Sequence, residues 1–158
     1  MCACRSILAL IAINIAVAAN AAPQSNDTPI AQNAAASTFQ KVTNVPDCFT
    51  AAVQQGDPAG NSSVLLIKGT RGCKAPWHFH SSNEQVMMVS GNGRIEMKEG
   101  QTATLHAGGF AYAPSKHVHQ FTCVSRPCSF FLRSDGPFDI HYVDQNGNEI
   151  PPEQALKK

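Results

Sequence analysis

Gly72-Cys-Lys-Ala-Pro-Trp-His78-Phe-His80-Ser-Ser-Asn-Glu84 is the stretch that decides the fold of this 158-residue chain. Its two histidines alternate about a single residue, so on an extended strand both imidazoles leave the same face. A short Ser-Ser-Asn turn can then carry the Glu84 carboxylate back toward the same point. Imidazoles combined with a carboxylate predict a site for a borderline transition metal, with room for water or substrate.

A second cluster, Pro114-Ser-Lys-His117-Val-His119-Gln-Phe121, follows about forty residues later and supplies another imidazole. The two clusters together resemble the cupin family. Five residues match every fixed position of its first motif, Gly-x5-His-x-His-x3-Glu-x6-Gly: Gly72, His78, His80, Glu84 and Gly91. Three residues match its second motif, Gly-x5-Pro-x-Gly-x2-His-x3-Asn: Gly108, Pro114 and His119. The chain departs from that second motif at Lys116 and Cys123, and neither is a ligand position.

The resemblance covers roughly residues 48–143 and implies an all-β fold, a single-domain β-barrel or jelly roll of short antiparallel strands. It also implies one divalent transition metal ion, which could be iron, manganese, nickel, zinc or copper. The implied metal ligands are four side chains: His78, His80, Glu84 and His119. Family membership alone does not imply one reaction.

The distribution of apolar residues supports the same fold class independently. From residue 49 onward, short apolar runs alternate with turn residues, and no window shows a convincing helical period. The predicted strands are Phe49–Gln54, Val64–Lys68, Gln85–Ser90, Arg94–Lys98, Thr102–His106, Phe110–Ala113, His119–Thr122, Ser129–Arg133 and Phe138–Val143. Gly91-Asn-Gly93 predicts a hairpin between two of them. Many short strands at regular spacing favour a closed barrel or sandwich.

The chain is predicted to have four segments. Residues 1–21 read as a cleaved signal peptide, because a weakly basic start precedes an apolar run and the small-x-small site Ala19-Asn20-Ala21. That run is shorter than the ~20 residues of a membrane span. Residues 22–46 form a flexible leader, 47–145 the cupin domain, and 146–158 a C-terminal tail. We therefore expect a secreted or periplasmic protein that does not associate with a membrane after cleavage.

Charge excludes one class of partner. Loss of Arg5 with the signal leaves 12 − 1 = 11 basic side chains against 11 acidic ones. No basic stripe is visible that could neutralise phosphates, so nucleic acid is not an expected partner. The expected partner is a small organic molecule, and the resemblance also admits a homodimer.

Four cysteines remain after signal removal, and export makes disulfides the expected state. Cys123 and Cys128 flank Val-Ser-Arg-Pro, a plausible turn, and a bridge across it needs no long-range contact. If both bridges form, Cys48 and Cys73 make the second. The rival interpretation, a cysteine as metal ligand, has no cysteine at a ligand position to support it.

Strand parity predicts the residues around the metal. Val86 and Met88 share parity with Glu84 and are expected to line the pocket. Further candidates for the wall or for substrate contact are Tyr112, Phe121, Phe131 and Arg133. His117 lies two residues before a ligand, which suggests either a proton carrier beside the metal or a solvent-facing turn residue.

These observations predict a metal-dependent enzyme acting on a small molecule. The expected apolar pocket favours oxygenase-type chemistry, although the family resemblance also covers lyase, decarboxylase and isomerase reactions. The alternative is a non-catalytic, metal-dependent module that binds or senses a small ligand, since no second carboxylate or lysine demands acid–base work.

Overall fold

The computed structural model describes residues 28–124 and 126–157. The predicted signal peptide, with Cys2 and Cys4, and the start of the predicted leader lie outside these residues. The chain divides into two compact units, Met1–Ala31 and Gln32–Lys158, and every element named below belongs to the second. Within the described ranges, no helix is long and apolar enough to cross a membrane.

The described part of the second unit is built almost entirely from strands. They are β1 (Phe49–Gly56), β2 (Ser63–Gly69), β3 (Lys74–Phe79), β4 (Glu84–Ser90), β5 (Gly93–Met97), β6 (Thr102–Leu105), β7 (Phe110–Ala113), β8 (His119–Cys123), β9 (Cys128–Ser134), β10 (His141–Val143) and β11 (Glu149–Ile150). A 3-10 turn at Ala34–Ala36 and a short helix, α1 (Pro152–Ala155), complete the described elements.

Two antiparallel sheets pack against each other. One has the order β1-β2-β9-β4-β7 and the other β11-β10-β3-β8-β5-β6. Alternation along the strands turns apolar side chains from both sheets into one core. Its largest members are Phe49, Leu65, Ile67, Val86, Met88, Ile95, Leu105, Phe121, Phe130 and Leu132. The predicted all-β jelly roll is confirmed.

The hairpin predicted at Gly91-Asn-Gly93 is wrong, because β4 and β5 belong to different sheets. The chain crosses here from one sheet to the other. Gly91 has a φ of +71°, and a Cβ atom on it would lie 2.4 Å from the Pro127 carbonyl oxygen. Pro127 lies on a second crossing, from β8 to β9. The glycine therefore allows the two crossings to contact each other. A glycine needed for close contact and a glycine needed for a hairpin turn look the same in the sequence.

Both cysteine pairs lie at disulfide distance, in the pairing that the sequence predicted. Cys123 and Cys128 bridge the crossing from β8 to β9, with their Cα atoms 5.5 Å apart. Cys48 and Cys73 precede β1 and β3, with their Cα atoms 5.6 Å apart. Each bridge therefore connects the five-stranded sheet to the six-stranded one. Bridges of this kind typically stabilise a fold by about 2 to 4 kcal/mol.

A β-bulge sets the face on which the first histidine lies. Ala75 pairs with Phe121 and His78 pairs with His119, so three steps along β3 match two along β8. Strict alternation would place His78 on the face opposite to Ala75. The extra residue in the bulge returns His78 to the interior, where it meets His119 directly across the ladder.

Contacts with the barrel extend on both sides of residues 47–145. On the N-terminal side, Gln40 forms an isolated bridge with Ala51, and Val42 and Val45 pack against the core. On the C-terminal side, β11 pairs with β10 and α1 follows it. The predicted strand Phe138–Val143 begins only at His141, because residues 138–140 form a loop.

Lys116 stands where the second cupin motif has glycine, and its backbone takes the conformation that glycine favours. Its φ is +63°, in the left-handed region. Its amide donates a hydrogen bond of 2.8 Å to the carbonyl oxygen of His80. The turn is therefore formed despite the Cβ atom, which costs about 1 to 2 kcal/mol in this conformation.

Replacing Lys116 with glycine should raise the free energy of unfolding by about 0.5 to 1 kcal/mol, because relief of the Cβ strain exceeds the added entropy of the unfolded chain. Urea unfolding followed by circular dichroism measures the change. Lys116→Ala is the matched control, since it removes the charge and keeps the Cβ. An equal gain in the alanine variant would show that the lysine side chain, and not backbone strain, was responsible.

Candidate metal centre

Four side chains predicted as ligands meet inside the barrel. His78, His80, Glu84 and His119 are each at most 6% exposed. One potential ligand atom from each lies within 4.8 Å of the others. His78 and His119 come from the six-stranded sheet, and Glu84 begins β4 in the five-stranded sheet. The group therefore sits between the sheets and could hold a metal ion.

Backbone carbonyl groups fix the orientation of all three imidazoles. His78 Nδ1 lies 2.6 Å from the carbonyl oxygen of Pro76. His119 Nδ1 lies 2.9 Å from that of His117, and His80 Nδ1 contacts that of Asp139. A carbonyl oxygen only accepts, so each Nδ1 carries the proton and each Nε2 keeps its lone pair for a metal.

The Nε2 atoms converge on the carboxylate. Glu84 Oε2 lies 3.1 Å from His80 Nε2 and 2.9 Å from His119 Nε2. These are ion-pair distances, and within the described chain His80 Nε2 and Glu84 Oε2 are nevertheless buried without a hydrogen bond of regular geometry. Buried polar atoms left in this way need an explanation. A cation shared by the four groups satisfies them, so the residues fit a divalent metal.

Electrostatics in the metal-free group point the same way. Burial, with the neighbouring His119 and His80, holds the pKa of His78 well below its ordinary value, which keeps that ring neutral. Burial alone would raise the pKa of Glu84, but His80 and His119 outweigh it and lower that pKa well below its usual range. Burial also opposes protonation of His80, yet the Glu84 charge raises its pKa. A metal entering this group would therefore meet a neutral His78 and an ionised Glu84, and it would compete with a proton for His80.

Asn83 joins the three loops around the centre. Its backbone and side-chain nitrogens donate to the two Asp135 carboxylate oxygens, at 2.9 and 2.5 Å. Its side-chain oxygen accepts from the Ser115 amide at 2.9 Å. These contacts connect the turn between His80 and Glu84 to the loops before β8 and after β9. Sequence reasoning missed Asn83, because nothing in the motif spacing distinguishes the residue before the glutamate.

An apolar cavity of about 60 Å³ adjoins the centre on its His78 and His80 side. Its walls come from both sheets, the loop after β9 and the segment before β1. Aliphatic and aromatic side chains dominate them, including Val42, Val45, Phe49, Leu65, Ile67, Phe121, Phe130, Leu132, Phe138 and Ile140. A small apolar space with few polar groups at one end is the usual form of a small-molecule site.

The predicted pocket residues divide into two groups. Phe121 lines the cavity. Val86 and Met88 are buried in the core on the face of Glu84, but they are not among the residues that line the cavity. Three other predicted positions are wrong: Tyr112, Phe131 and Arg133 lie on the outer face of the five-stranded sheet. Tyr112 is 46% exposed, and the Arg133 side chain in β9 is also exposed to solvent.

The register of β9 explains the error. Leu132 pairs with both Leu65 and Val86, which face inward, so Phe130 and Leu132 line the core and the residues between them point outward. The run Phe130-Phe131-Leu132 is apolar throughout and does not show which parity is buried. Val42 and Val45 were missed for another reason, since they lie in a segment with few large apolar residues.

His117 acts through its backbone. Its carbonyl oxygen orients His119, while its half-buried side chain lines a separate groove of about 390 Å³ beside Met97, Tyr112 and Pro114. The imidazole is not among the residues that line the cavity next to the metal ligands. The structure therefore places its side chain away from that cavity.

Comparison with known proteins agrees with the motif and the fold. A family model described as a cupin domain matches residues 68–132. No curated protein sequence matches the chain. Among solved structures, an RmlC-like cupin protein from Ralstonia eutropha JMP134 is 19% identical, with a TM-score of 0.61 and 78% of each chain covered.

Two enzymes share the fold at similar distance. The DMSP lyase DddQ from Ruegeria pomeroyi DSS-3 is 16% identical, with a TM-score of 0.60 over 72% of this chain, which spans only 64% of that enzyme. The polyketide cyclase RemF from Streptomyces resistomycificus is 15% identical, with a TM-score of 0.62 over 82% of this chain and 99% of the cyclase. These likenesses concern the fold. The family model matched over residues 68–132 and the two histidine motifs support an assignment to the cupin superfamily.

Proposed function

We propose that this protein is a metal-dependent enzyme acting on a small organic molecule through His78, His80, Glu84 and His119. The observation that carries the proposal is the fixing of each imidazole by a backbone carbonyl, which turns the Nε2 atoms toward a buried carboxylate. When bound, a divalent transition metal supplies Lewis-acid or redox chemistry at this point. The four-residue set does not select among iron, manganese, nickel, zinc and copper.

The cavity supports oxygenase-type chemistry within this class. The protein's own contribution is to hold the ligand rings in place and to keep an apolar space beside them. Of the described residues lining the cavity, only His78 and His80 are titratable, and both would be bound to the metal and unable to serve as an acid or base. Lyase, decarboxylase and isomerase reactions generally use an additional acid or base. The DMSP lyase and the polyketide cyclase show that this fold hosts small-molecule enzymes, but their substrates do not transfer at such low identity.

The same lack of an acid or base favours one alternative. A non-catalytic module that binds a small ligand beside a metal needs no proton carrier. Turnover decides between the two functions.

We also propose that the mature protein works in an oxidising compartment, as a secreted or periplasmic protein. Two bridges that connect the sheets support this, because disulfides persist outside the reducing cytosol. The signal-like sequence at residues 1–21 supplies the route.

Replacing His80 or His119 with alanine should abolish stoichiometric metal binding. Each change removes a ligand, so the loss should exceed the roughly 10- to 100-fold that removal of a ligand's supporting hydrogen bond costs. His117→Ala is the control, since any residue there offers the same carbonyl to His119. Metal content by mass spectrometry and titration calorimetry measure binding, and circular dichroism checks the fold. Tight stoichiometric metal in both ligand variants would refute the assignment.

Turnover tests the enzymatic proposal. The metal-loaded protein should convert a member of a panel of small phenolic, keto-acid and sugar compounds, with oxygen consumption recorded in parallel. The His119→Ala variant should be inactive, because its centre lacks a ligand. Saturable binding of a panel member without conversion under any metal would instead establish the binding module.

Export has its own measurement. Protein recovered from its natural compartment should begin near residue 22 and show no reactive thiol under denaturing conditions, because its four cysteines are paired. Intact mass and thiol titration provide both readings. An uncleaved N-terminus, or four titratable thiols, would contradict the proposal.

A further inference from the structure

We propose that Val42 and Val45 set the size of the group that can lie beside the metal, and that the site takes a small, uncharged, apolar group of a few heavy atoms. The inference rests on the proposed function, because it concerns the ligand of the same centre. It assigns a role to residues 41–47, hereafter the 41–47 segment, of which residues 41–46 were predicted to belong to the flexible leader and not to the cupin domain.

The 41–47 segment separates two spaces. On its inner side, Val42 and Val45 line the cavity of about 60 Å³ together with His78 and His80. On its outer side, the same two valines line a surface groove of about 730 Å³. That groove also includes Pro76, whose carbonyl group orients His78. A single stretch of chain is therefore the partition between solvent and the metal ligands at this side of the barrel.

The partition is anchored at both ends and at its centre. Gln40 bridges Ala51 just before it, and the Cys48–Cys73 disulfide follows it directly. Between these points, the Tyr142 hydroxyl donates a hydrogen bond of 2.8 Å to the Asn44 carbonyl oxygen. Tyr142 pairs with His78 across β10 and β3. The strand that carries a ligand is thus tied to the segment that closes the cavity.

The volume of the cavity defines the class of ligand. An apolar protein cavity of about 150 Å³ stays dry and holds benzene or xenon. The cavity here is less than half that size, at about 60 Å³, and among the described residues that line it only His78, His80 and Thr50 are polar. A charged group would lose its hydration without a partner there. A short alkyl end, or a ligand of comparable size, fits these limits, and the two valines are the part of the wall that separates the cavity from the groove of about 730 Å³.

The test uses xenon and benzene as probes of the full mature chain. Wild-type protein should bind xenon in the cavity and show no benzene binding at saturation of the aqueous phase. The double variant Val42→Ala/Val45→Ala should bind benzene at a concentration at least tenfold below that saturation, because the wall recedes. Val45→Leu should lose xenon, because its extra methylene group fills the space. Nuclear magnetic resonance titration measures both ligands, and crystals under xenon pressure locate the atom.

Val86→Ala/Val143→Ala is the matched control. It removes the same number of carbon atoms from buried valines that do not line the cavity, and it should leave xenon binding unchanged and gain no benzene binding. Equal benzene binding by wild type and the 42/45 variant, or an equal gain in the control, would overturn the proposal. If the double variant does not fold, Val45→Leu and Val45→Ala alone still decide it. Neither probe requires a metal, so a failure here is distinguishable from a failure of the proposed function.

Discussion

The constraint on which this structure depends is a carboxylate placed between two sheets, away from water. An ionised Glu84 in an apolar interior is very costly unless positive or hydrogen-bonding groups surround it. The protein answers with three imidazoles around that carboxylate. In the absence of a metal, the Glu84 charge raises the pKa of His80, which favours a compensating positive charge on that ring. Packing, loop contacts and the neighbouring cavity are all arranged around a group of side chains that could hold a metal ion.

The surroundings of the site are built mainly from backbone groups. Carbonyl oxygens of Pro76, His117 and Asp139 orient the rings, and the Lys116 amide donates to the carbonyl of His80. A backbone group occupies its place whatever side chain it carries. The geometry is therefore a property of the loop paths, which the Asn83 side chain holds together. Such a centre tolerates variation in the residues beside the ligands, as the lysine in the motif's glycine position illustrates.

Sequence reasoning located the fold and the ligand cluster because both depend on spacing. Alternation places His78 and His80 on one face of a strand, and the short turn after them brings Glu84 to the same point. Short apolar runs between turns indicate strands. It was wrong where a pattern admits two structures. Gly91-Asn-Gly93 allows close contact between crossings as readily as a hairpin. The run that begins at Phe130 is apolar at every position, so it does not show which side chains face the core. The carbonyl partners and the walls from Val42 and Val45 arise from tertiary contacts, which leave no periodic signal.

The bulge between Ala75 and His78 has a consequence for how this protein can change. A barrel strand has only two faces, so the side on which a residue lies depends on whether the count from a fixed point is odd or even. Here the centre exists because that count contains one additional residue. Substitutions in this stretch alter local packing. Deletion of one residue would instead turn the His78 side chain outward, although all four ligand residues would still be present in the sequence. The number of residues between Ala75 and His78 is therefore as necessary for the site as the histidines themselves.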